Sequence, residues 1–213
     1  MVIIQKKDKK NRWKEAQDAE LNFWNSLALN EVEEERWKKY LLSGINTKNK
    51  TIIDVGCGPR GVVHYITDAK EKIGLDPLIN LYSKKYTLDS NTKFINATAE
   101  AIPLEDDYVD IVFCINVLDH IEDPELGLRE MHRILKNDGE LNFLINTYSK
   151  PFLIIEKILE IFGIWEDKPH PHHFTFVQIS KILGRYFIIE NFKCVRNLSY
   201  MKTFYFKCRK KQK

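Results

Sequence analysis

Three glycines and two carboxylates carry the clearest chemistry in this chain, in Asp54-Val-Gly56-Cys-Gly58-Pro-Arg-Gly61 and, 15 residues later, Asp76. Glycine lets a backbone turn sharply and lie against a ligand where a Cβ would clash. The G-x-G-x-x-G spacing of Gly56, Gly58 and Gly61 between an apolar strand and the next element describes a cradle for a nucleotide-like group. Asp76 ends the following strand, where a carboxylate can accept hydrogen bonds from both hydroxyls of a ribose. Asp54 stands two residues before the first glycine. Dinucleotide folds bury an apolar side chain there and aim a helix N-terminus at a pyrophosphate. A carboxylate in that place suits a nucleoside ligand with an ammonium group and no phosphate.

Histidines form the second set. His120, in Leu118-Asp119-His120, follows the fourth expected strand and is a candidate general base, with packing beside the next helix as the alternative. His173, with His170 and His172 in the loop 166–173, is a second candidate base, with a solvated loop as the alternative. A base that titrates near neutrality would suit a phenol, acid or amine. Three clustered histidines also raise metal binding, but without a cysteine or carboxylate at a familiar ligand spacing no metal is expected.

The elements that must hold these groups follow from periodicity. Residues 12–43 read as one or two aromatic-rich amphipathic helices, ended by Gly44. Their tryptophans either line a pocket or staple the helices onto the main domain, and the staple is the preferred reading. From Thr51 short apolar strands alternate with helices: 51–55, 72–76, 92–95, 109–115 and 140–145, with helices from about Gly61 and Pro77 and over 124–136. That alternation predicts a doubly wound, mostly parallel sheet. A very apolar helix over 151–165 could be a lid over a hydrophobic substrate, the surface of a homodimer, or a cover for the core. Thr175 reads as the N-cap of a helix to Arg185. Strands 186–196 and 199–208 then make an antiparallel hairpin at the sheet edge.

With these residues in place, the chain resembles the class I S-adenosylmethionine-dependent methyltransferases, particularly the small-molecule group that includes the ubiquinone and menaquinone enzymes. The likeness is most specific in NATAEAIPLEDDYVDIVFCINVLDHIEDPELGLREMHRILKNDGEL, covers roughly residues 50–146, and extends loosely to HHFTFVQISKIL. It implies a Rossmann-like, seven-stranded α/β sheet with helices on both faces, a C-terminal antiparallel edge hairpin and an N-terminal helical cap. The implied cofactor, S-adenosyl-L-methionine, carries the ammonium and the ribose diol that the two carboxylates suit. By resemblance, Gly56 and Gly58 would pack under its methionine and ribose, with Gly61 closing the turn. Asp54 would lie near the ammonium, Asp76 would hold the ribose hydroxyls, and Leu78 would flank the adenine. Ala99 and Glu100 match the adenine-edge segment, and the Asn116 carbonyl would face the methionine amino group. Thr98 stands where relatives often place an acidic partner for the adenine amino group, and its hydroxyl can accept the same hydrogen bond.

Composition narrows the alternatives. With 33 Lys+Arg against 30 Asp+Glu the net charge is +3, and 44% of residues are hydrophobic, which excludes collagen-like and disordered classes. Basic residues gather at the two ends (Lys6 to Arg12 and Arg209 to Lys213) and read as solvated tails. Four scattered cysteines without a C-x-x-C pair point to a reducing, cytoplasmic compartment. No run of about 18 apolar residues spans a membrane. The absence of an Asn/Asp-Pro-Pro-Tyr/Phe motif disfavours amino-methylation of nucleic-acid bases; the resemblance implies a small-molecule acceptor, with RNA or protein methylation by way of the basic tails as an alternative. The expected organisation is a cap over 1–46 and a methyltransferase domain over 47–213 with a lid-like insertion at 151–175. An NAD(P)-dependent oxidoreductase and a non-catalytic S-adenosylmethionine-binding regulator remain as competing readings.

Overall fold

β1 (Thr51–Val55) is buried along its whole length. Ile52 and Ile53 put apolar side chains on opposite faces, so the strand sits between two neighbours and under two layers. In the computed structural model, which describes residues 9–26, 38–165 and 167–212, it pairs in parallel with β2 (Glu71–Leu75) and β4 (Val109–Ile115). β3 (Lys93–Ile95) extends one side, and β5 (Leu135–Tyr148) the other. β7 (Met201–Lys210) runs antiparallel between β5 and the edge strand β6 (Phe187–Asn197), giving the order β3-β2-β1-β4-β5-β7-β6. The expected Rossmann-like sheet of seven strands, with its edge hairpin, is therefore present. Strand order reverses between β1 and β4, which opens a crevice beyond their C-terminal ends.

Side chains alternate across the sheet, as a two-residue period requires. Ile53, Val55, Val112, Cys114, Phe143 and Ile145 meet Leu128, Met131 and Leu183 on one face. Ile52, Ile111, Phe113 and Leu144 meet Leu41, Val62 and Ile66 on the other.

The helices differ from expectation in instructive ways. Instead of a helix from Gly61, two single 3₁₀ turns, Gly58–Arg60 and Val62–Tyr65, link β1 to β2. Three glycines, a proline and the β-branched Val62, Val63, Ile66 and Thr67 leave little helix propensity there. α2 shrinks to Ile79–Tyr82. α3 (Pro124–Ile134) starts on the Asp123 side chain, which accepts from the Glu125 and Leu126 N–H groups. Asn137-Asp-Gly139 becomes a bulge, since Val109 pairs with Leu135 and Ile111 with Glu140. α5 (Phe176–Tyr186) begins with a full capping box between Thr175 and Gln178, as the N-cap expectation required.

α1 (Lys9–Ser26) lies across the crevice, and residues 38–42 are helical. Of residues 12–43, expected as one or two aromatic-rich helices, 27–37 lie outside the described residues. Trp24 meets Tyr82 and Tyr86 edge-on at 6.4 Å, and its carbonyl accepts the Tyr86 hydroxyl. α4 (Lys150–Ile161) buries none of its residues, so it does not cover the core. The C-terminal basic run is not a frayed tail: Arg209 and Lys210 belong to β7 and pair with Glu190 and Asp107. No described helix is long and apolar enough to cross a membrane.

Candidate active site

β1 and β2 end side by side, and the chain folds over them because the N–H groups of Gly56 and Cys57 both donate to the Leu75 carbonyl at 2.7 and 3.1 Å. Gly56 takes φ 69°, in the left-handed region, and a Cβ there would collide with Val117. Gly61 needs no unusual φ; a Cβ there would fall on the Asp54 carboxylate and 2.6 Å from the Cys57 carbonyl oxygen. One glycine answers to backbone conformation and the other to space.

The turn wraps two buried carboxylates. Asp54 Oδ2 accepts from the Val63 N–H at 3.2 Å. Asp76 accepts from Gly58 N–H through Oδ2 at 2.9 Å and from Leu78 N–H through Oδ1 at 2.8 Å. Each carboxylate oxygen has a second lone pair for a ligand. Burial raises the pKa of Asp54 to about 6 against the opposing pull of Lys38 and two backbone N–H groups. Burial likewise raises Asp76 to about 6, against its two backbone hydrogen bonds. Both line one cavity of about 720 Å³.

All ten residues expected at a cofactor line this cavity: Asp54, Gly56, Gly58, Gly61, Asp76, Leu78, Thr98, Ala99, Glu100 and Asn116. Glu100 holds the start of α3 through Oε1, which accepts from the Glu122 and Asp123 N–H groups at 2.8 and 3.1 Å. Its Oε2 is buried without a partner. Asn116 adopts φ 59° and donates its N–H to the Leu144 carbonyl, while its Oδ1 accepts from Asn146 at 3.0 Å. Trp13, Gln17, Glu20, Phe23 and Trp24 of α1 form another wall. Trp24 therefore staples α1 to the core and lines the pocket at once.

The two candidate bases part company. His120 lines the cavity, with Nδ1 buried, unpartnered and 3.8 Å from Glu20. His173 sits in a separate cavity of about 210 Å³, its Nδ1 2.9 Å from Glu156 and its Nε2 3.1 Å from Asp167. His170 takes the cavity wall instead, its ring centroid 4.6 Å from that of His120. His170 Nδ1 meets both Asp167 oxygens at 2.9 and 3.0 Å. Burial lowers the His170 pKa, but the Asp167 hydrogen bond and the charge of Asp119 outweigh it, and the net shift is upward. Two carboxylates, Asp119 and Asp167, stand among the histidines in space, although no familiar ligand spacing marks them in the sequence. Proximity in the chain was the signal: Asp167 precedes His170 by three residues and Asp119 adjoins His120.

Residues 53–143 match the family model described as a methyltransferase domain. The chain is 36% identical over 120 residues to an uncharacterised protein of Methanocaldococcus jannaschii, covering 56% of this chain and 50% of that one. It is 28% identical to the ubiquinone biosynthesis O-methyltransferase of Hydrogenovibrio crunogenus, over 81% of this chain and 79% of that enzyme. Thus it spans half the length of the first relative and about four-fifths of the second. Among solved structures, an S-adenosylmethionine-dependent methyltransferase of Thermotoga maritima superposes with a TM-score of 0.62 at 20% identity, covering 96% of this chain and all of that one. The YcgJ protein of Bacillus subtilis gives 0.65 at 13%, over 85% of this chain and 100% of its own. Residues 53–143 thus match a methyltransferase domain, the chain is similar in sequence to a ubiquinone biosynthesis O-methyltransferase, and it shares the fold of these solved structures.

Proposed function

We propose that the chain binds S-adenosyl-L-methionine in the 720 Å³ cavity and moves its methyl group to an oxygen, nitrogen or carbon of a small, hydrophobic acceptor. The observation that carries this reading is the pair of buried carboxylates, Asp54 and Asp76, at the ends of β1 and β2 on one cavity. Buried and raised in pKa, both gain from a ligand that brings positive charge and hydroxyl donors. Asp54 faces the ammonium, Asp76 the ribose diol, and Leu78 the adenine. The free Oε2 of Glu100 accepts the adenine amino group, supported by Thr98 and Ala99. Asn116, held by Asn146, orients the methionine end.

The sulfonium of the bound cofactor supplies the reactive methyl, so the protein's task is alignment and, for a hydroxyl or amine acceptor, handling a proton. In this reading His120, which lines the cavity together with His170, takes that proton. His173 lies outside the cavity, so its part is to hold Asp167, which in turn holds His170. An apolar wall that includes Phe23, Ile121 and Val195 favours an acceptor with little charge, as does the likeness to a ubiquinone O-methyltransferase. In this reading α1 and its neighbours within residues 1–46 cap the domain 47–213, and 151–175 borders the acceptor side. Calorimetry is the direct test. S-adenosylhomocysteine should bind and NADH should not, and Asp76→Ala should weaken binding at least about tenfold. Binding of NADH in place of S-adenosylhomocysteine would overturn the assignment.

A further inference from the structure

Next to His120, which lines the cavity, the chain carries a group that methyl transfer leaves unexplained. Asp119 is 1% exposed; among the described residues neither of its carboxylate oxygens has a hydrogen-bond partner, and Oδ1 lies 3.9 Å from His120 Nε2. A buried carboxylate without a hydrogen bond costs several kcal/mol and is normally matched by a cation. Ligand atoms of Asp119, His120 and His170 lie within 4.8 Å of one another. We propose that Asp119, His120 and His170 bind a divalent first-row transition-metal ion at the acceptor end of the cavity.

Four features support the site. Two imidazoles and one carboxylate are a donor set that borderline metals such as Zn²⁺ and Co²⁺ take. His170 Nδ1 is engaged by Asp167, which leaves the Nε2 lone pair for an ion, and such carboxylate support is the usual second layer of a metal site. His120 Nδ1 is itself buried and unpartnered. Glu20 beside His120 and Asp167 beside His170 add two further carboxylates around the two imidazoles, so the local field favours a cation. Metal–ligand bonds of about 2.0–2.2 Å require the three side chains to close by roughly 1 Å, within the reach of rotamer adjustment. Because His120 and His170 line the cavity, an ion held there keeps positions open toward it, suited to an oxygen donor of the acceptor. His120 then serves as a ligand, and the proton-accepting role given to it above lapses. Ion binding does not rest on the methyl-transfer reading.

The test uses the untagged full chain, stripped with a chelator and titrated with Co²⁺ and with Zn²⁺ by calorimetry, and with Co²⁺ also by d–d absorption. One ion per chain is expected, with affinity reduced more than about 100-fold in Asp119→Asn and in His170→Gln. Asp167→Asn should weaken it by about 10–100-fold, and His173→Gln, which removes only one support of Asp167, should weaken it less than Asp167→Asn. Zinc should raise the melting temperature of the wild type but not of Asp119→Asn. X-ray absorption on the zinc-loaded wild type is independent of any variant's folding: two imidazoles on the metal support the site, and none overturns it. Absence of stoichiometric binding at about millimolar Co²⁺ and Zn²⁺ overturns the proposal. So does binding that survives Asp119→Asn and is lost in His173→Gln, which would place the ion between Asp167 and His173.

Discussion

Acidification from about pH 7.5 to about pH 5 should weaken S-adenosylhomocysteine binding by roughly 100-fold, through Asp54 and Asp76. Each carboxylate has a pKa of about 6 in the free protein because burial penalises its charge. At pH 5 about one-tenth of each is ionised, against nearly all at pH 7.5. A ligand whose ammonium and ribose hydroxyls require the charged forms pays about 1.4 kcal/mol per group, a tenfold loss each. The two carboxylates feel each other's charge, so the midpoints of the binding curve belong to the pair. The folding linkage has the opposite sense. A folded pKa above the usual 3.8 contributes stability that is complete below that value and lost as pH rises through about 6. Ligand binding near neutrality should therefore recover stability that the free protein has given up, and the thermal shift on adding ligand should grow between pH 5 and 7. Calorimetry across this range, in buffers of different ionisation heat, reads both affinity and proton release. Asp54→Asn and Asp76→Asn should each retain only about a tenfold pH dependence. Affinity that is flat with pH, or tighter at pH 5, would refute the reasoning that these two carboxylates meet the ligand.

Three further outcomes follow from the packing. Gly61→Ala should cost about 1–3 kcal/mol in urea unfolding and weaken S-adenosylhomocysteine, because its Cβ would displace the Asp54 carboxylate or the Cys57 carbonyl. Arg133→Ala should lower stability by about 2–3 kcal/mol and raise the ligand Kd. Arg133 donates to the Ile102 and Leu104 carbonyls at 2.9 and 2.7 Å, so it anchors the segment that carries Thr98, Ala99 and Glu100. Thr175→Ala should cost about 1 kcal/mol through loss of the capping box while leaving the ligand Kd unchanged, a separation that denaturation and calorimetry together can read.

Strand positions were legible wherever burial on both faces left an uninterrupted apolar run, as at 109–115, where expectation and structure coincide. Capping was legible for the same local reason: Thr175 and Gln178 satisfy each other's N-terminal groups across three residues. The helices after β1 and β2 were not. Their lengths depend on what packs above them, and the glycine-rich segment kept only 3₁₀ turns once Gly61 had admitted the Asp54 carboxylate. The double role of Trp24 was also out of reach, since it arises from contacts with Tyr82 and Tyr86 about 60 residues away in sequence.

By itself the sequence determined the sheet's order of elements, the glycine turn and the carboxylates that flank it. These are encoded by period, by φ preference and by residues placed at strand ends, all within short spans of chain. Only the tertiary structure decided which histidine reaches the cavity. His170 and His173 lie three residues apart in one loop, and nothing local distinguishes them. Asp167 bridges the two, Glu156 of α4 draws His173 aside, and His170 is left against His120 and the buried Asp119. Side-chain direction in a loop follows from partners brought by other elements, so this cluster of histidines and carboxylates took shape only when the chain folded.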